Sequence, residues 1–161
     1  MTALDYSALE RNYPEKDAAG NFVRIGGSCA SHENQCAIRL SHALQASGFS
    51  LAGFERFGPA CVAAGSKHVR GAKPLADLLW KRLGRPEIDV GPASAQSAGV
   101  SGRTGIIFFK GCYRRDDGSL GHHIDLWNGS ATMGYQGWGN SSEVWFWPIA
   151  GSSVRMTSSA G

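Results

Sequence analysis

The amino-acid sequence predicts an α+β domain, with N-terminal helices packed on a C-terminal antiparallel sheet. Apolar residues recur at three- and four-residue steps in the first half, over 36–47 and 74–83. β-Branched and aromatic runs gather in the second half, over 104–110, 122–128 and 143–147. Helices first and strands later is the order of an α+β fold, not of alternating β-α-β units.

Residues 5–12 read as a short helix, capped by Asp5 and stopped before Pro14. Residues 15–35 are polar and Gly-rich, and read as a loop. The helix over 36–47 carries Ala37, Ile38, Leu40, Ala43 and Leu44 on its apolar stripe. Gly48 terminates it, and Asn34 is a candidate cap that puts Cys36 in the first turn. Residues 49–73, broken by Gly53, Gly58, Pro59, Gly65 and Gly71, receive no assignment. Pro74 opens the next helix at a first-turn position that tolerates proline. Leu75, Leu78, Leu79 and Leu83 form its buried stripe, and Gly84 ends it. A small-residue loop, 91–103, leads into the strand 104–110. Asp116-Asp117-Gly118-Ser119 is a turn, 122–128 the second strand, and 143–147 a third that ends at Pro148. The small, polar tail after Gly151 is expected to be mobile. No repeat or linker divides the chain, so 1–161 is expected to be one domain.

At 161 residues the chain can bury a core without help from metals or disulfides. Its 42% hydrophobic and 18% charged content excludes a disordered protein. A net charge of +3 with no run of Lys or Arg excludes a nucleic-acid footprint. It suits, at most, a weak attraction to an anionic polymer such as a cell wall. No stretch reaches the roughly 18 apolar residues of a membrane span. The opening Met1–Ser7 lacks the basic and apolar regions of a signal peptide. The chain is therefore expected to be made in the cytoplasm, or exported without a cleaved signal.

Two segments carry chemistry. Cys36 stands in Asn34-Gln35-Cys36-Ala37-Ile38-Arg39-Leu40-Ser41, where the helix begins. Backbone N–H groups and the positive helix end favour the thiolate there. His123 stands in Gly121-His122-His123-Ile124-Asp125-Leu126-Trp127, on a strand. Side chains alternate along a strand, so His123, Asp125 and Trp127 share one face, and His122, Ile124 and Leu126 the other. His and Asp together imply that the first face opens on a polar site. An imidazole beside a thiol is a general base for it, and the early-Cys, late-His order suggests a papain-like amide hydrolase. Adjacent strand histidines diverge and no third ligand has useful spacing, so no metal or cofactor is expected. With Cys36 free, Cys29, Cys61 and Cys112 hold at most one disulfide, or are three reduced thiols. Tyr135 and Trp138 lie in a Gly-rich stretch that could line a sugar or peptide groove, although sheet core is the commoner use of such aromatics.

The Cys36 block, Gly105-Ile106-Ile107-Phe108-Phe109-Lys110-Gly111, the block His123-Ile124-Asp125-Leu126-Trp127-Asn128-Gly129, and Val144-Trp145-Phe146-Trp147-Pro148 together resemble the fourth family of type VI secretion amidase effectors. The resemblance implies a papain-like, NlpC-type fold. It implies cleavage of peptidoglycan stem peptides between γ-D-glutamate and meso-diaminopimelate, after delivery by the type VI secretion apparatus into the periplasm of a rival bacterium. It also implies a cognate periplasmic immunity protein that blocks the site. The family nucleophile falls on Cys36 and the general base on His123. The family's third, acidic residue lies about eleven positions past the histidine, in a loop often closed by a short disulfide, and here that position is Gly134. Residues 131–139 hold no acid and no cysteine. Asp125 is the first candidate to replace it, ahead of Asn140, Asn128 and Gln136. The Cys36 N–H, helped by the Asn34 or Gln35 side-chain amide, is the expected oxyanion donor. Arg39, Arg103, Arg114 and Arg115 are scattered cations near these segments, most simply solvated. Two other readings remain open at this level, a non-catalytic wall-binding module and a cysteine acyltransferase on the same fold.

Overall fold

A computed structural model of the chain describes residues 4–32, 34–89, 91, 99–134, 137–139 and 141–151. The tail after Gly151 and most of the 91–103 loop lie outside the described residues.

The expected helices form close to their expected bounds. The first, α1 (Tyr6–Asn12), is capped by Asp5, whose carboxylate accepts the Ser7 N–H. The second, α2 (Cys36–Ala46), buries Ala37, Ile38, Leu40, Ala43 and Leu44. The third, α3 (Ala72–Leu83), starts two residues before Pro74. Pro74 still falls in the first turn, where an N–H has no helical partner to lose. Leu83 departs from expectation, since it is 36% exposed. At 3.6 residues per turn it has rotated roughly 80° from Leu75, off the edge of the apolar stripe.

The unassigned 49–73 segment folds into a hairpin of β1 (Ala60–Ala63) and β2 (Ser66–Val69). Its two-residue loop, Ala64-Gly65, takes positive φ at both positions. That is the hairpin turn whose twist matches its strands. Cys61 of β1 is disulfide-bonded to Cys29, which lies in the 3-10 turn Gly27–Ser31.

The main sheet comprises β3 (Gly105–Arg114), β4 (Leu120–Trp127) and β5 (Glu143–Pro148), antiparallel in the order β4-β3-β5. Ile106, Phe108, Ile124, Leu126, Trp145 and Trp147 meet the helices in the principal core. Ile107, Phe109, Trp127, Val144 and Phe146 form a second cluster with Val100. Burial on both faces explains why these strands read as unbroken apolar runs. A bulge interrupts the β3–β4 ladder between Phe109↔His123 and Tyr113↔Gly121. There Gly111 turns to φ 67°, and its N–H is accepted by Nδ1 of His122 at 2.9 Å. His122 therefore closes a backbone irregularity, on the side of the strand away from His123. With β4 at the sheet edge, its outer rim is left to the N-terminus of α2, which packs against it.

Candidate active site

Cys36 is the first residue of α2 and is 2% exposed. Its thiol is hydrogen-bonded to the His123 imidazole and to the backbone N–H of Ile124 on β4. His123 and Asp125 sit two residues apart on one face of that strand, with Nε2 of His123 2.8 Å from Oδ2 of Asp125. Asp125 occupies Nε2, so Nδ1 is the ring nitrogen left for the thiol. Both side chains are buried. The structure thus corrects the expectation of an open polar face. Phe109 stacks on the imidazole, and Tyr13 and the 132–134 loop close over the carboxylate.

Asp125 has a full set of donors. Its Oδ1 accepts the Tyr13 hydroxyl at 3.0 Å and the Leu126 N–H at 2.8 Å. Its Oδ2 accepts the Gly134 N–H at 2.8 Å as well as His123. A carboxylate withdrawn from water needs such partners, and it is then fixed in one orientation. Gly134, where the resembling family carries its acid, contributes a backbone donor instead. A Cβ built on Gly134 would stand 3.4 Å from Oδ2 of Asp125.

Electrostatics match the geometry. Burial pushes the His123 imidazole toward neutrality. Its hydrogen bonds to Asp125 and Cys36 and the charge of both outweigh that, and its pKa rises to about 9. Burial likewise opposes a Cys36 thiolate. The hydrogen bond and charge of His123 and the Ile124 N–H outweigh it, holding the thiol below the ordinary cysteine range. Both shifts favour the thiolate–imidazolium form of the pair. The other free thiol, Cys112, is pushed up to about 11, chiefly by burial.

The residues before Cys36 have resting partners of their own. Gln35 is buried and its amide is fully occupied. It accepts the Ile25 N–H and donates to the carbonyls of Ile25 and Cys29. In the resting molecule Gln35 is therefore a brace that ties α2 to the disulfide turn. Asn34 Oδ1 accepts the Cys36 N–H at 3.1 Å, so it covers the expected oxyanion donor in the resting molecule. Its Nδ2 donates to the Tyr113 hydroxyl at 2.7 Å. Tyr113 reaches Asn34 by lying flat over Gly121, where a Cβ would fall 2.1 Å from the ring.

Among the alternatives to Asp125, Asn128 turns away from His123 and closes its own turn on Ser130 and Ala131. Asn140 and Gln136 lie outside the described residues, as does Tyr135. Trp138 packs edge-on against Phe109 and Trp127, which makes it part of the second cluster rather than a groove wall. Arg103 pairs with Glu87, Arg114 donates to the Gly118 carbonyl, and Arg39 stacks over Phe22. Among the described residues no group of three or more His, Cys, Asp or Glu could hold a metal. No helix of the described residues is long and apolar enough to cross a membrane. Sequence reasoning missed Tyr13, the Gly134 N–H, the Ile124 N–H and Tyr113. Tyr13 lies 112 residues from Asp125, and no local pattern links positions so far apart.

The family model of the type VI secretion system amidase effector protein 4 matches residues 32–147. No curated protein sequence matches the chain. Among solved structures, the type VI effector Tae4 from Enterobacter cloacae superposes with a TM-score of 0.71 at 21% identity, covering 92% of this chain and 99% of that one. The Tae4-Tai4 effector-immunity complex from Salmonella Typhimurium gives 0.65 at 23% identity, covering 89% and 94%. The corresponding Enterobacter cloacae complex gives 0.62 at 22% identity, covering 78% and 84%. The fold is that of these effectors.

Proposed function

The chain belongs to the type VI secretion amidase effector 4 family, and on that premise we propose that it hydrolyses peptidoglycan stem peptides at the γ-D-glutamyl–meso-diaminopimelate amide bond by a Cys36–His123 thiol mechanism. Asp125 is the residue that orients His123. The observation that carries this reading is the contact of a depressed thiol with an imidazole locked on Asp125 at 2.8 Å.

In this mechanism the Cys36 thiolate attacks the γ-glutamyl carbonyl carbon, and the carbonyl π electrons move to oxygen. The oxyanion takes the Cys36 N–H by displacing Asn34 Oδ1 from it. His123 gives its Nδ1 proton to the leaving amine as the C–N bond breaks. Water, deprotonated by the now neutral imidazole, attacks the thioester, and collapse expels the thiolate. Asp125 holds Nε2–H throughout, which fixes the tautomer and the ring plane.

The chain acts as a single domain over residues 1–161. It is delivered by the type VI secretion apparatus, works in the periplasm of the target bacterium, and is neutralised by a cognate immunity protein. The test is a digest of purified Gram-negative sacculi with wild type and Cys36→Ala, read by mass spectrometry. Disaccharide–L-Ala–D-Glu fragments from the wild type alone are expected. Unchanged sacculi with both proteins, in reducing and oxidising buffer alike, contradict the proposal.

A further inference from the structure

We propose that the cleft beside Asn34 is a carboxylate subsite for the substrate, with Arg70 as its binding residue and Arg115 as a fixed second cation. This rests on the amidase reading above and deepens it. The cleft has a volume of about 420 Å³. One wall is Ser31, His32 and Asn34, a second is Pro59 and Arg70 at the base of the hairpin, and a third is Arg115 in the β3–β4 turn. Asn34 also covers the Cys36 N–H, so the cleft opens one side chain away from the nucleophile's own backbone.

Its described lining carries two cations, Arg70 and Arg115. No carboxylate is among the described residues that line it. Arg115 is already immobile, because Nη1 donates to the Leu120 carbonyl at 2.6 Å and to Ser119 Oγ at 3.3 Å. The Arg70 backbone is held by its N–H on the Pro59 carbonyl. Its guanidinium makes no hydrogen bond or ion pair with any described residue, whereas Arg85 and Arg103 are engaged with carboxylates and Arg24 and Arg82 with carbonyls. The walls are rigid. The Cys29–Cys61 disulfide ties the 3-10 turn to the hairpin, and Gln35 ties that turn to α2.

The proposed substrate presents what such a cleft takes. A γ-linked glutamate keeps its α-carboxylate free, separated from the scissile carbonyl by Cα, Cβ and Cγ, and diaminopimelate keeps a free carboxylate on the other side of the bond. Either anion can accept two parallel hydrogen bonds from a planar guanidinium. Only substrate that brings such an anion converts Arg70 from a solvated charge into a positioning contact.

The test measures kcat/KM for wild type, Arg70→Ala and Arg70→Lys on the stem tetrapeptide. Two analogues are run beside it, one amidated at the glutamate α-carboxylate and one at the diaminopimelate carboxylate. Losing a charge-assisted hydrogen bond predicts a fall of about tenfold or more for Arg70→Ala on the acid, mainly in KM. Amidation of one of the two carboxylates should lower wild-type kcat/KM by a similar factor, and Arg70→Ala should lose nothing more on that analogue. Arg70→Lys should retain part of the effect. The Cys36 alkylation rate should be the same in all three proteins, which shows that the nucleophile is intact. Equal rates for wild type and Arg70→Ala on the acid overturn the subsite, as does an equal loss on all three peptides. Wild type that cleaves none of the peptides overturns the amidase reading itself.

Discussion

Asp125 stands where a two-residue step along a strand puts a carboxylate beside an imidazole, and its four donors leave it one orientation. Asp125→Ala removes the group that fixes the His123 ring. Activity on stem peptide should fall by about 10²- to 10⁴-fold, a loss typical of disabled general acid–base catalysis, and the thermal midpoint should fall as well, because the buried Tyr13, Leu126 and Gly134 donors lose their acceptor. The vacated space then admits a carboxylate from the neighbouring loop, because a Gly134 Cβ would point at Oδ2 across 3.4 Å. The double variant Asp125→Ala/Gly134→Asp should regain at least about tenfold of that loss by the same orienting logic. No recovery would mean that Asp125 does more than orient the base. The two free thiols offer a second check. Iodoacetamide at mildly acidic pH should label Cys36 and leave Cys112, whose pKa stands near 11, as peptide mapping will show. That Cys36, His123 and Asp125 could meet was readable in the sequence, because each sits in a local block whose period tells its face, and the structure brings the three side chains together. The resting contacts of Gln35 and Asn34, a brace on the disulfide turn and a cover on the Cys36 N–H, were not readable there. An amide's partners are set by the tertiary structure, and those of Gln35 include the carbonyl of Cys29 in a separate turn.

At the scale of elements, the disulfide turn, the hairpin and the start of α2 behave as one unit. Cys29–Cys61 closes a sequence separation of 32 residues. Loop-closure entropy puts its contribution at about 3–4 kcal/mol. Cys29→Ala/Cys61→Ala should lower the thermal midpoint by several degrees, and it should weaken activity further because Gln35 braces α2 on that same turn. A variant with an unchanged midpoint and full activity would show that the turn is held by other contacts. The long helices and the three sheet strands were readable because they bury continuous stripes or runs. The hairpin was not. Its strands are four residues each, its turn is Ala-Gly rather than Asn-Gly, and its ordering depends on the disulfide and on Ile38 beneath it. Leu83 shows the converse error, a residue assigned to the stripe by spacing and released from it by accumulated rotation.

For the whole molecule, the helical half supplies Cys36 and the sheet half supplies His123, so the pair exists only in the folded chain. A partner that covers the cleft at Asn34 should hide the thiol. Saturating cognate immunity protein is expected to slow Cys36 alkylation by at least about tenfold, as steric exclusion from a protein interface core would. An unaltered rate in the complex would place inhibition elsewhere. The account as a whole turns on whether Cys36 and His123 are an ion pair. The most direct measurement is the rate of Cys36 alkylation against pH in wild type and His123→Ala. His123 is held protonated up to about 9 and the thiol is depressed. The wild-type rate should therefore rise at lower pH than in a protein lacking the imidazole, hold a plateau while His123 stays protonated, and change again only near pH 9 as the imidazolium is lost. His123→Ala should instead titrate as a single thiol at or above the ordinary ~8.5, because burial and the Asp125 charge then oppose the thiolate with no imidazolium to offset them. A wild-type curve that rises only there and coincides with the variant would contradict the account.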